Sequence, residues 1–147
     1  LDLLGRKVMQ QDGAALKLLF AAMSETCLLA GNDVELRGYA QQLQHGMRTL
    51  GEVTLGAAQR MAAGEARAVL ANATHYMTAL STLTVSWLWL WMAEAATRTL
   101  ALDDDFRAGK RQACRFWFAT EYAQLAHAAQ LVGGVDRSAL DMQSAWF

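Results

Sequence analysis

The chain is 147 residues long and 54% hydrophobic, with 13 Lys+Arg against 14 Asp+Glu for a net charge of -1. That suffices for one domain with its own core, and the balance excludes the basic footprint of a general nucleic-acid binder. Only 18% of residues are charged, against about a quarter in a typical domain, which excludes a disordered tail and leaves part of the surface to be covered by something else.

The sequence has no proline. Proline breaks helix interiors because it lacks an N–H and its ring clashes with the preceding turn. A proline-free chain rich in Ala, Leu and Gln therefore reads as all helix. Leu1 to Val8 resembles the middle of an amphipathic helix with no capping residue ahead of it, so the chain is expected to be a piece of a longer one. Asp12, followed by Gly13 and Ala14, suits an N-cap, with Leu16, Leu19, Phe20, Met23 and Cys27 as the buried stripe of a first helix.

Gly31-Asn32-Asp33 interrupts that stripe, with Gly31 placed for a left-handed C-terminal turn. A second helix is predicted from about Val34 to Ala63. It repeats Leu36, Leu43, Leu50 and Ala57 at one position and Tyr39, Gly46 and Val53 at the other. That spacing suits antiparallel packing, and Gly46 permits a close helix approach. Gly64 ends it, and a third helix is predicted from Glu65 to about Leu100. A fourth opens at Asp103-Asp104-Asp105 and runs to Val132, where Gly133-Gly134 stops it. The tail from Asp136 to Phe147 carries Leu140, Met142, Trp146 and Phe147, which are expected to fold back onto a surface. The fold class is thus all-α, an up-and-down four-helix bundle with a short C-terminal tail, in a single helical domain over residues 1–147.

The third helix carries no Lys, Arg, Asp or Glu between Arg67 and Glu94. Some 20 uncharged residues could cross a bilayer. Against that, Asn72, Thr74, His75, Thr78, Ser81, Thr82, Thr84 and Ser86 fall inside the span, and aromatic anchors gather at one end only. A helix buried on several sides accounts for it better. Thr74, Thr78, Thr82 and Ser86 form a ridge of small side chains whose hydroxyls can bond back to carbonyls one turn earlier. Trp87, Trp89 and Trp91 step around the helix, so a single seam cannot hide all three, and they are the candidate interface residues toward another domain or subunit.

Other chemistry is sparse. His45, His75 and His127 follow Gln42, Asn72 and Gln124 by three residues, so the Glu-x-x-His pairs of a di-iron bundle are missing. There is no CxxCH and no glycine-rich phosphate loop. Asp103-Asp104-Asp105 suits a helix cap better than a metal cluster. Lys110, Arg111 and Arg115 share a face that is expected to be solvated rather than phosphate-binding. Cys27 and Cys114 read as small buried hydrophobes, which fits a reducing cytoplasm. No basic segment precedes an apolar one in the manner of a signal peptide. No catalytic, cofactor-binding or metal residue is assigned.

Four segments carry a resemblance. Leu1-Asp2-Leu3-Leu4-Gly5-Arg6-Lys7-Val8 resembles the helix after the active-site loop of bacterial acyl-CoA dehydrogenases. Ala71-Asn72-Ala73-Thr74-His75-Tyr76 with Trp87-Leu88-Trp89 is similar to the extra C-terminal domain of the larger members, the 3-methylmercaptopropionyl-CoA dehydrogenase type. Gly109 to Phe116 is similar to a Gly-Lys-x-x-x-Ala-Arg-Phe-like segment there, and Leu140 to Phe147 to the usual terminus. The chain departs from the family at Ala126-His127, where a Leu-Pro pair is common.

The resemblance implies a C-terminal helical domain of an FAD-dependent enzyme that removes hydrogen from the α and β carbons of an acyl-CoA thioester. It further implies a cytoplasmic homo-oligomer reoxidised by an electron-transfer flavoprotein. The family's glutamate base lies in a loop ahead of the Leu1–Val8 segment, so the base and most of the flavin- and CoA-binding elements are expected outside this chain. Packing against the catalytic body is then its expected role. The alternatives are a standalone helical-bundle interaction module and, less in keeping with the hydroxyl-rich third helix, a small membrane-associated protein.

Overall fold

A computed structural model describes residues 2–99 and 101–147, apart from the side chain of Asp12. What the sequence suggested for Leu1, Leu100 and the Asp12 side chain lies outside the described residues. Those described form an all-α bundle: α1 (Ala14–Ala30), α2 (Arg37–Arg60), α3 (Ala66–Ala71), α4 (Ala73–Arg98), α5 (Asp104–Thr120), α6 (Gln124–Gly134) and α7 (Ser138–Asp141). α1, α2, α4 and the α5–α6 pair make the four columns.

α4 carries almost no charge, and it is correspondingly enclosed along most of its surface, with Met77, Leu88 and Trp91 left exposed. It packs against α1, α2, α5 and α6, and Tyr76, Ala79, Leu83, Leu90 and Ala93 are wholly enclosed. Around it α2 and the residue capping it present Leu36, Leu43, Leu50 and Ala57, all buried as their seven-residue spacing requires. Gly46 sits at the closest approach. A Cβ there would stand 2.8 Å from Leu83 Cδ1 and 2.8 Å from the Tyr122 hydroxyl, so glycine is what lets α2 reach α4 and α6. No helix among the described residues is long and apolar enough to cross a membrane.

Several boundaries differ from the sequence reading. The predicted N-terminal amphipathic helix is replaced by two short helical turns, Leu3–Lys7 and Gln10–Gly13, which bury Leu4 and Val8. At the start of α1 the capping position belongs to Gly13, left-handed at φ 75°. Gly31 stays right-handed at φ -64°. Here the reversal is fixed by Asp33, whose Oδ1 accepts from the Glu35 and Leu36 amides at 2.8 and 3.2 Å.

The third predicted helix is two helices. The chain breaks at Asn72, whose buried amide donates to Ala68 O and to Asp136 O, both at 3.0 Å. The fourth is also two: Glu121–Ala123 form a turn between α5 and α6, and the Tyr122 hydroxyl reaches across to donate to Gln42 O. Gly133 and Gly134 are still helical, and Val135 takes the left-handed position at φ 49° instead. A β-branched residue is strained there. In the tail only Leu140 packs against the core, while Met142, Trp146 and Phe147 stay exposed.

Candidate functional site

Trp89 leaves α4 on the side opposite Trp87 and Trp91, which stand one turn apart on neighbouring lines of the helix. Trp87 is half-buried toward α1 and donates its indole N–H to Thr26 Oγ1 at 2.8 Å. Trp89 is half-buried toward α5, with Lys110 Nζ at 6.0 Å from its ring centroid. Trp91 is 49% exposed. It borders a shallow hollow of about 220 Å³ between α4 and α5, lined also by Met92, Leu102, Phe106 and Lys110.

That hollow belongs to an apolar patch. Leu88 lies one turn before Trp91 and is also exposed, and half of Phe106 faces out from the start of α5. Lys110 Nζ stands 5.2 Å from the Phe106 ring centroid, so a cation rests against the aromatic faces at the patch's edge. Local sequence puts Phe106 there. Asp103 Oδ2 accepts from the Phe106 amide at 3.1 Å and caps α5, as the acidic run suggests, and Asp104 pairs with Arg107.

The hydroxyl ridge of α4 is partly turned inward, toward tryptophans. Ser86 Oγ donates to Thr82 O at 2.6 Å and accepts the Trp117 indole at 2.8 Å. Thr78 bonds back to Thr74 O at 3.1 Å. Lower in the core, the Thr54 and Tyr76 hydroxyls meet at 2.8 Å. A buried indole N–H needs an acceptor, so counting tryptophans against serines and threonines could have suggested these pairs.

Lys110, Arg111 and Arg115 separate. Arg115 is solvent-facing, but Arg111 is clasped. Its Nη1 donates to Asp33 Oδ2 at 2.8 Å and Thr97 Oγ1 at 2.7 Å, and its Nη2 to Glu35 Oε2 at 2.6 Å. The expectation of a solvated Arg111 is thereby corrected. The guanidinium, helped by the Glu35 and Leu36 amides, holds the Asp33 carboxyl below the usual carboxylate range.

Both cysteines are buried and reduced. Loss of hydration pushes the Cys27 thiol up to about 11 and the Cys114 thiol up to about 12. His45 and His127 face solvent and His75 is half-buried. Among the described residues, no three His, Cys, Asp or Glu side chains gather as a metal site.

The model of one protein family, described as acetyl-CoA dehydrogenase C-terminal like, matches residues 19–143. No curated protein and no solved structure matches the chain. The matched span runs from α1 to the end of α7 and so takes in every column of the bundle. The chain belongs to the acetyl-CoA dehydrogenase C-terminal-like family.

Proposed function

We propose that these residues form the C-terminal helical domain of a flavin-dependent acyl-CoA dehydrogenase, and that their role is to pack against the catalytic body and a second subunit. The family match over residues 19–143 carries this reading, and the four resembling segments point to the larger 3-methylmercaptopropionyl-CoA dehydrogenase type. The contact surface is the α4–α5 face around Trp91, with Leu88, Phe106 and the Lys110 edge beside it and with Trp89 and Trp87 behind. An apolar patch with a polar rim is the ordinary anatomy of such a contact.

In the parent enzyme, the α,β-dehydrogenation of the acyl-CoA thioester belongs to segments outside these residues, as do FAD and the docking of an electron-transfer flavoprotein. The residues present do not fit FAD by themselves. The hollow of about 710 Å³ between the N-terminal turns and the α1–α2 seam is lined by apolar groups such as Leu16, Phe20 and Leu55, with Lys17 its charged member. A second, of about 570 Å³ beside α2 and α6, offers Arg60 and Gln59 but also Glu52. Neither gathers the cations and N–H donors that a pyrophosphate needs. A cytoplasmic homo-oligomer completes the reading.

The test is the coding DNA upstream of the Leu1 codon. An open frame continuing into a glutamate-bearing, Gly-Thr-containing loop is the expected result. A start codon immediately before Leu1 overturns it and leaves a standalone interaction module. As a second check, the 147-residue chain mixed with FAD and an acyl-CoA should give no loss of flavin absorbance.

A further inference from the structure

α1 rests on α2 and α4 and buries Met23, Thr26, Cys27 and Ala30. Its apolar residues do not stop at that inner side. Leu16 and Leu19 pack against the core, but Leu18 is 73% and Leu28 72% exposed, and Leu29 is exposed with them. Leucines on both sides of a helix are what a helix covered on both sides carries. The outer side of α1 is therefore a surface without its partner.

The outer stripe runs through Leu18, Ala21, Glu25 and Leu28, three or four residues apart, with Lys17 and Leu29 on its flanks. Lys17 and Glu25 are the only charged residues among the 17 of α1, and both are exposed. They stand four residues before and four residues after Ala21, ~6 Å along the axis in either direction.

That placement is self-complementary. When two α1 helices pair antiparallel with Ala21 on the two-fold axis, each Lys17 comes level with Glu25 of the other copy, and Leu18 turns toward Leu28 and Leu29 of the other copy. A parallel pair instead sets Lys17 level with Lys17 and Glu25 level with Glu25. At the crossing, Ala21 has the small side chain that a close helix approach needs. A lipid surface matches less well, because an interfacial helix keeps its charges on the polar edge, whereas Glu25 stands within the apolar stripe.

We infer that the outer face of α1 is a contact between two copies of this chain, antiparallel and two-fold about Ala21. Leu18, Leu28 and Leu29 form its apolar part, and two Lys17–Glu25 ion pairs set its direction. The stripe is about 25 Å long and about 10 Å wide. The contact therefore falls at the small end of specific interfaces, on the order of 1,000 Å² in total, and the dimer is a reversible one. The inference rests on α1 alone, so a monomeric chain leaves the docking role of the Trp91 face standing, and loss of that role leaves the dimer standing.

The experiment is sedimentation velocity of the 147-residue chain from ~10 µM to ~1 mM. A monomer–dimer equilibrium is expected, with a Kd on the order of 100 µM. Leu18→Lys should weaken it at least about tenfold. Lys17→Glu and Glu25→Lys should each weaken it about tenfold at low salt, and the two substitutions together should restore the original Kd. Trp91→Lys should leave it unchanged. Ala21→Cys should give a disulfide-linked dimer under mild oxidation, and Ala119→Cys on α5 should not, since the buried Cys27 and Cys114 do not compete. A monomer at 1 mM, a Kd indifferent to Leu18→Lys, a double swap no tighter than the single ones or a dimer lost in Trp91→Lys overturns the inference. Should Leu18→Lys lose its helical circular dichroism, Leu28→Lys at the other end of the stripe decides, and an unchanged Kd there overturns it as well.

Discussion

Trp117 of α5 donates its indole N–H to Ser86 Oγ of α4 at 2.8 Å, and Ser86 in turn donates to Thr82 O at 2.6 Å. Ser86 is wholly buried, so water cannot replace it. Ser86→Ala strands the indole N–H and should cost about 1–3 kcal/mol of stability. Urea unfolding measures it, with the midpoint falling and the slope unchanged. The Trp87–Thr26 pair is the matching case, and Thr26→Val, which keeps the shape and removes the acceptor, should lose a comparable amount.

Gly46→Ala sets two effects against each other. Alanine gains about 1 kcal/mol of helix propensity over glycine. Its methyl, however, meets Leu83 Cδ1 and the Tyr122 hydroxyl at 2.8 Å and Leu125 Cδ1 at 3.2 Å. The leucine tips can turn aside, but Tyr122 is tethered to Gln42 O. Overpacking costs about 1–3 kcal/mol, so net destabilisation is expected. Gly46→Ala in a Tyr122→Phe background should recover part of it, and thermal unfolding of both variants checks this.

The Arg111–Asp33 clasp predicts how the bundle responds to acid. Asp33 has its carboxyl lowered in the folded state, first by the Arg111 hydrogen bond. A lowered carboxyl contributes stability that is complete above its unfolded value, about 3.9, and is lost as pH falls through the folded one. Stability should therefore decline below about pH 4. Arg111→Ala should lower stability near neutrality by about 1–3 kcal/mol and flatten the acid decline. A urea series between pH 3 and pH 7 tests both.

The thiols predict the alkaline side. With Cys27 up at about 11 and Cys114 at about 12, neither is a thiolate in the folded protein near pH 8, and both should resist a disulfide reagent until the chain unfolds. Both ionise more readily when unfolded, near 8.5. Their contribution is therefore present below that value and is lost as pH rises toward the folded ones. Rapid labelling of native protein would contradict the burial.

Trp91 separates association from folding. Exposed as it is, Trp91→Lys should change stability by no more than about 0.5 kcal/mol. It should weaken capture of the catalytic body in a pull-down. Equal capture by both forms would remove the α4–α5 face from the proposed interface.

Much of this architecture can be read in the sequence because single helices advertise themselves. The α2 heptad, the Asp103 cap and the Gly64 break, where φ is 92°, are each decided within a few turns of chain. The breaks at Asn72 and at Glu121–Ala123 are not. Neither contains proline or glycine, and each is fixed by a partner far along the chain, Asp136 O in one case and Gln42 O in the other. The same holds for the site residues. Trp87, Trp89 and Trp91 stand out by composition, but only packing decides which faces out. Arg111, Asp33, Glu35 and Thr97 come from three separate stretches, and no periodicity brings them together.

The central position of α4 also bears on motion. α1, α2, α5 and α6 each rest on it, so none can leave without wetting the residues that the other three need dry. Opening of the bundle is then a single event, and the buried amides of α4 exchange with solvent only when the whole molecule unfolds. The last residues lie outside that mutual dependence, since Met142, Trp146 and Phe147 stay exposed. They can loosen and re-form while the bundle stands, whereas the N-terminal turns, with Leu4 and Val8 in the core, open only with it.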